Sequence, residues 1–151
     1  MSTTEDILPA KEPVVRLALP KDGARVLELV GKLGHAVALD PQAFQDSFTQ
    51  ALADSPRTIV HVAEVAGEVV GYALTTINTL FYTNGPSAQL QEIVVDDARQ
   101  TSGVGTALVR AVEAACEASG VTQLTVASRR AGGFYDRLGY TQQAEYMRRL
   151  F

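Results

Sequence analysis

The stretch Gln100-Thr101-Ser102-Gly103-Val104-Gly105-Thr106 follows an apolar run at 90–95 and opens a helical pattern that continues to about Ser119. A strand, a tight glycine turn and a helix start, in that order, form a physical device. Gly103 and Gly105 carry no Cβ, so the main chain can come close to a ligand there. The first N–H groups of a helix have no intrahelical partner and point outward. Together these features bind phosphate or another anion. The helix itself is legible: Val104, Leu108, Ala111, Val112 and Ala115 recur at the spacing of one face, and Arg110, Glu113 and Glu117 fall on the other. Thr101 or Ser102 can cap its start, and Gly120 suits a left-handed stop.

Two phosphate-binding families are excluded by the residues around the glycines. A P-loop needs Lys-Ser or Lys-Thr after its second glycine, and none is present. A dinucleotide fingerprint needs a third glycine where Leu108 stands. What remains is Gln-x-x-Gly-x-Gly after the strand end Val94-Val95-Asp96-Asp97, which resembles the acyl-CoA signature of the GNAT superfamily of N-acetyltransferases. A second match follows downstream, where Phe134-Tyr135-Asp136-Arg137-Leu138-Gly139-Tyr140 resembles that superfamily's Phe-Tyr-x-x-x-Gly-Phe segment. The resemblance covers residues 13–151 and is most specific over 90–140.

Length and composition agree with one enzyme-sized domain. The chain has 151 residues, 46% hydrophobic and 20% charged, as in ordinary globular proteins. A net charge of −4 supplies no broad basic field, so nucleic acid is not the expected partner. Cys116 is the single cysteine, so no internal disulfide can form; a reducing, cytoplasmic setting is the default expectation. No apolar run reaches membrane-spanning length, and residues 1–12 read as a tail ahead of a single domain at 13–151.

Along the chain, 14–19 reads as a strand. Pro20 starts a helix with Val26, Leu27, Val30 and Leu33 on one face. Asp40-Pro41 caps a second helix to about Ala53, lined by Phe44, Phe48, Ala51 and Leu52. Residues 57–65 and 68–80 read as strands joined at Ala66-Gly67, with Gly71 a candidate bulge. Asn84-Gly85-Pro86 makes a turn into strand 87–95; after the central helix come strand 122–127, a short helix at 131–138, and a strand at 144–150. The expected fold is α/β (α+β): a mixed sheet of about six to seven strands with four helices, in which strands 87–95 and 122–127 run parallel across a right-handed crossover. The resemblance adds that these two strands splay and that the pantetheine arm of acetyl-CoA lies between them.

The activity the resemblance implies is transfer of an acetyl group from acetyl-CoA, as cosubstrate and without a metal, to a primary amine of a small molecule, amino acid or peptide terminus. Two alternatives stay open: a non-catalytic acyl-CoA sensor on the same fold, and an acetyltransferase for a protein or tRNA-linked amine. The resemblance assigns the diphosphate to the main chain of Gln100, Thr101, Ser102, Gly103, Val104, Gly105 and Thr106, and the pantetheine amides to Ile93, Val94 and Val95 as an added strand. Phe134, Tyr135 and Arg137 complete the cofactor side. The Val95 N–H would meet the carbonyl oxygen if a bulge frees it, and such a donor is typically worth about 2.7–4 kcal/mol.

Tyr135, at the motif tyrosine, is the candidate acid for the leaving thiolate; the alternative is a helix tyrosine with a solvated hydroxyl. Glu92, at a position often acidic in the superfamily, is the candidate base, or else a carboxylate in a strand-end hydrogen bond. A base matters most for an amine with a pKa of about 10.4, whose neutral form lies about 4–5 kcal/mol uphill at pH 7, and little for an α-amino group near 7.7–8. His35, Phe81 and Tyr82 are candidates for the acceptor wall, or else a solvated loop histidine and two aromatics that cap the core. Arg129 and Arg130 could meet an anion, while His61 and Cys116 read as packing residues. The final strand is an edge through which two copies could pair.

Overall fold

The computed structural model describes residues 12–34, 37–99, 103–129 and 133–151. The chain builds β1 (Val14–Leu17), α1 (Gly23–Val30), α2 (Pro41–Ala53), β2 (Thr58–Val65), β3 (Glu68–Asn78), β4 (Ser87–Val95), α3 (Val104–Ala118), β5 (Gln123–Val126) and α4 (Phe134–Arg137). Short 3-10 turns precede α1 and α3, at Pro20–Asp22 and Asp97–Arg99.

Among the described residues the sheet has five strands in the order β1-β2-β3-β4-β5. The first three pairings are antiparallel, and β4 and β5 run parallel, so the sheet is mixed as expected. The strand count is lower than the expected six to seven. Residues 144–150, expected as a last strand, form none. A strand is held by its ladder partner. Residues 140–151 have no ladder to the outer edge of β5, and Tyr146, Met147, Leu150 and Phe151 are left exposed.

Local signals explain the elements. The Asp40 carboxylate accepts from the N–H groups of Gln42 and Ala43 at 2.9 and 3.3 Å, which fixes the start of α2. Ala66 and Gly67 both adopt positive φ, at 53° and 81°, making the tight β2–β3 hairpin turn. Val26, Leu29 and Val30 of α1, with Leu33 just beyond it, form the packed face; Leu29, wholly buried, takes the place expected of Leu27. The spacing of three, four and seven residues from Val26 accounts for this.

Two cores lie on the two faces of the sheet. One, under α3, gathers Ala63, Ala73, Leu90, Val95, Val104, Leu108, Val109 and Val112, with Phe134, Tyr135 and Leu138 packed at its margin. The other, under α1 and α2, gathers Val26, Leu29, Phe48, Val62, Tyr72 and Val94. Burying side chains such as Val104, Leu108, Val109 and Val112 is worth about 1.5–3 kcal/mol each, which outweighs the weak helix propensity of Gly103 and Gly105.

Two bulges set the register. One in β3 leaves Val70 between the pairs Ala63–Gly71 and Glu64–Val69. The expected bulge thus falls beside Gly71, whose own missing side chain has a different reason: a Cβ there would lie 2.9 Å from the Val94 carbonyl oxygen. The second bulge, in β4, inserts Gln91 between Leu90 and Glu92.

Candidate active site

The mouth of α3 is shaped by Gly103. It stands at the N-cap in the left-handed conformation, φ 82°, with no side-chain cap. The capping hydroxyl expected from Thr101 or Ser102 is not at the N-cap position, and Gln100, Thr101 and Ser102 lie outside the described residues. The first intrahelical bond runs from the Ala107 N–H to the Gly103 carbonyl, so Val104, Gly105 and Thr106 keep N–H groups with no partner inside the helix. A Cβ on Gly105 would lie 3.5 Å from the Phe134 ring and 3.8 Å from Val95, so Phe134 seats α4 directly against this mouth.

The segment entering the mouth is acidic, and cations of α1 and of the turn after it compensate it. Arg25 donates to Asp96 at 2.6 Å and to the Val69 carbonyl at 2.8 Å. Lys32 lies 3.5 Å from Asp97. The Arg25 guanidinium holds the Asp96 carboxyl below the usual carboxylate range. Neutralised in this way, the two aspartates repel an approaching anion less.

The neighbouring edge of β4 is open. β5 pairs with β4 only from Ser87–Gln123 to Leu90–Val126, and then the strands part. The Val94 carbonyl faces Gly71 on β3, and the Asp96 N–H donates to the Val70 carbonyl. Alternation along a strand therefore turns the N–H and C=O of Ile93 and Val95 to the other edge, into the gap that β5 has left. The freedom expected of the Val95 N–H thus comes from the divergence of β5, since the β4 bulge sits at Gln91 and Val95 stays in register with Gly71. An open edge of this kind suits an extended chain carrying amides, as pantetheine does.

Glu92 and Tyr135 approach the gap from opposite faces. Glu92 shares its face with its cross-strand partner Leu74, on the α1–α2 side. There its carboxylate accepts a 2.7 Å hydrogen bond from the hydroxyl of Tyr72. Tyr72 is 2% exposed, and burial, with Glu92 beside it, pushes its phenol far above the ordinary value. Sequence reasoning missed Tyr72 because strand aromatics read as core; only the register places its hydroxyl on Glu92. Tyr135 packs at the margin of the α3-side core, with its ring edge-on to Phe134 and to Tyr140 at 5.0 and 5.6 Å. Tyr140 in turn donates to Glu113 at 2.7 Å, which anchors the aromatic group on α3.

A cleft of about 1540 Å³ wraps the outer edge of β5 and is lined by Tyr135, Val126, Thr125, Gln89 and part of the C-terminal segment. It runs past Tyr135 and not over Gly103. Phe81 and Tyr82 are exposed at the β3–β4 connection, at the opposite end of β4 from Val95; Tyr82 accepts from Gln123 at 3.2 Å. The structure therefore does not bring them together with Glu92 and Tyr135. His35 and Arg130 lie outside the described residues. Arg129 lies over the Tyr146 ring at 5.4 Å, and Arg137 is exposed at the end of α4. His61 and Cys116 are buried, as packing residues should be, but the His61 Nδ1, expected to be satisfied, has no hydrogen-bond partner among the described residues. Among the described residues no cluster of His, Cys, Asp or Glu is placed to hold a metal, and no helix is long and apolar enough to cross a membrane.

Comparison with known proteins agrees with this geometry. The family model for the acetyltransferase (GNAT) domain matches residues 56–142. The chain is 34% identical over 126 residues to an aminoglycoside N(6')-acetyltransferase type 1 of Stenotrophomonas maltophilia, covering 80% of this chain and 78% of that one. Among solved structures, glucosamine-6-phosphate N-acetyltransferase from Arabidopsis thaliana superposes with a TM-score of 0.81 at 19% identity, over 93% of this chain and 99% of that one. A transcriptional regulator from Bacillus halodurans superposes at 0.83 with 17% identity, over 93% and 100%. These two likenesses concern the fold, whereas the family match spans the parted strands, the helix mouth and the aromatic segment alike. The chain belongs to the GNAT family of acetyltransferases.

Proposed function

We propose that this protein transfers an acetyl group from acetyl-CoA to a primary amine of a small molecule. The observation that carries the reading is the juxtaposition of two sets of main-chain donors: the Ile93 and Val95 edge that β5 leaves open, and the N–H groups of Gly103 through Thr106 at the mouth of α3. When bound, acetyl-CoA supplies an activated thioester.

The rest falls to the chain. Ile93, Val94 and Val95 hold the pantetheine arm as an added strand, and an N–H of this edge meets the carbonyl oxygen as it gains charge. Gln100, Thr101 and Ser102 extend the diphosphate loop, with Phe134 and Arg137 on its α4 side. Tyr135 hands a proton to the departing sulfur from the α3 face. Glu92, steadied by Tyr72, receives the amine's proton from the α1–α2 face. Acid and base on opposite faces suit attack from one side and departure on the other.

The relative named for aminoglycoside N(6')-acetylation puts a cationic, amine-rich acceptor first, and a net charge of −4 suits it. Thiol release from acetyl-CoA should be measured with a 6'-amino aminoglycoside, spermidine, an α-amino acid and a short peptide. Release with the aminoglycoside or spermidine is expected. Tight coenzyme A binding with no release on any amine would overturn the enzyme reading in favour of a sensor.

A further inference from the structure

Arg25 leaves α1 beside Val26, which the core under α1 and α2 buries, so its stem starts from a fixed point. Its guanidinium is then held on three sides. Nε donates to the Val69 carbonyl at 2.8 Å, one terminal nitrogen to Glu28 at 2.9 Å, and the other to Asp96 at 2.6 Å. Glu68 lies farther off, at 3.9 Å. Asp96 is held as closely. Its N–H donates to the Val70 carbonyl at 2.7 Å, so two consecutive carbonyls at the β3 bulge fix this corner. Its carboxylate accepts from the Ala98 N–H at 3.3 Å, and its carbonyl accepts from the Arg99 N–H at 2.8 Å. The Lys32 ammonium stands 3.8 Å from that carboxylate, beyond hydrogen-bond reach.

This corner governs direction. β4 ends at Val95, the turn Asp97–Arg99 follows at once, and Gly103 caps α3 a few residues later. A displaced turn therefore shifts the approach to the helix mouth within a short span of chain. A pair of flexible, solvated side chains would contribute little. Here a planar guanidinium is gripped by a main-chain carbonyl as well as by carboxylates, which fixes where it holds Asp96.

Resting on the acetyltransferase reading, we propose that Arg25 is a positioning residue for the acetyl donor. Through Asp96 it holds the turn Asp97–Arg99, and so the direction in which the chain meets the mouth of α3, where the diphosphate is to be held. Arg25 touches no reacting atom, so its loss acts on the diphosphate half of acetyl-CoA and not on the thioester. Charge alone would act differently. If Arg25 served only to neutralise Asp96, deleting the Asp96 carboxylate would remove a repulsion and tighten donor binding. If Asp96 carries the hold of Arg25 to the turn, deleting it loosens the turn and weakens donor binding.

The test reads thiol release with acetyl-CoA and with S-acetylpantetheine, which keeps the thioester arm and lacks the diphosphate. The acceptor is the amine on which the parent releases most thiol. Arg25→Gln, which keeps helix propensity, should raise KM for acetyl-CoA about tenfold, the effect of one charge-assisted hydrogen bond. Its kcat with acetyl-CoA, and its kcat/KM with S-acetylpantetheine, should stay within about twofold of the parent. Asp96→Ala should show the same donor-specific loss, and the double variant no more than either single one. Tighter acetyl-CoA binding in Asp96→Ala would leave only a charge effect and overturn the proposal. Equal losses on both donors, or an unchanged KM in Arg25→Gln, would overturn it as well while leaving the acetyltransferase reading standing. A parent that releases no thiol with any amine would overturn both.

Discussion

Replacing Tyr72 with phenylalanine removes one oxygen and nothing else from a site that is otherwise close-packed. That oxygen lies 2.7 Å from Glu92, the short distance of a hydroxyl bonded to a charged acceptor. Hydrogen bonds to charged groups contribute about 1.5–3 kcal/mol. Glu92 is only half-buried, so water partly replaces the phenol and the lower figure applies, about 1.5 kcal/mol or a tenfold change in rate.

If Glu92 receives the amine's proton, the loss must depend on the amine. For a primary alkylamine with a pKa of about 10.4, the neutral form is about 4–5 kcal/mol uphill at pH 7, so a displaced base is felt in full. For an α-amino group near 7.7–8 the gap is about 1 kcal/mol, and the same variant should lose no more than about twofold. The assay is thiol release at saturating acetyl-CoA and pH 7, with one amine of each kind. A fall in Tm of about 2–4 °C should accompany the change, for about 1 kcal/mol in a domain of this size. Equal losses on both amines would show that Tyr72 only supports the fold, and no loss on either would refute the coupling altogether.

The helix mouth gives a paired prediction. Gly103→Ala places a Cβ in open space but in a left-handed residue, at a cost of about 1–2 kcal/mol, whereas Gly105→Ala meets only ordinary contacts and gains up to about 1 kcal/mol of helix propensity. Melting curves should therefore put the Gly103 variant below the parent and the Gly105 variant level with it or above; the reverse order would contradict the conformation described for the mouth. His61 is buried and its pKa is lowered by that burial. The unfolded chain then takes up a proton below about pH 6.5 that the folded chain refuses, so stability falls as pH drops through that range, with a slope approaching about 1.4 kcal/mol per pH unit. Urea midpoints between pH 7 and 5 should show a shallower fall for His61→Leu, and an unchanged slope would assign the acid sensitivity elsewhere. Tyr135→Phe should lower kcat about 10²-fold or more with little change in coenzyme A affinity, and unchanged turnover would remove Tyr135 from the chemistry.

Much of the fold was legible because its punctuation is local. The Asp40 cap, the Ala66-Gly67 turn and the glycines at the mouth of α3 each act within a few residues, and each stands where the sequence indicates. What escaped depends on long-range pairing. Residues 144–150 read as a last strand, but a local pattern cannot say whether a partner edge lies in reach. The bulge at Gln91 hid the true parity of the first half of β4 in the same way. Read as strict alternation back from Val95, strand β4 would put Gln89 and Ser87 on the α3 side; the inserted residue reverses that parity and turns Leu90 and Ala88 inward instead. Glu92 was legible as a candidate, but Tyr72, twenty residues earlier, meets it only through the β3–β4 register.

The central claim is that the open β4 edge and the mouth of α3 together hold coenzyme A. Backbone amide NMR on ¹⁵N-labelled protein, titrated with coenzyme A, tests it residue by residue. The N–H signals of Gly103, Val104, Gly105 and Thr106, with those of Ile93 and Val95, should move together and saturate together. Saturable binding that leaves these six amides unmoved, or no binding at millimolar coenzyme A, would contradict the account.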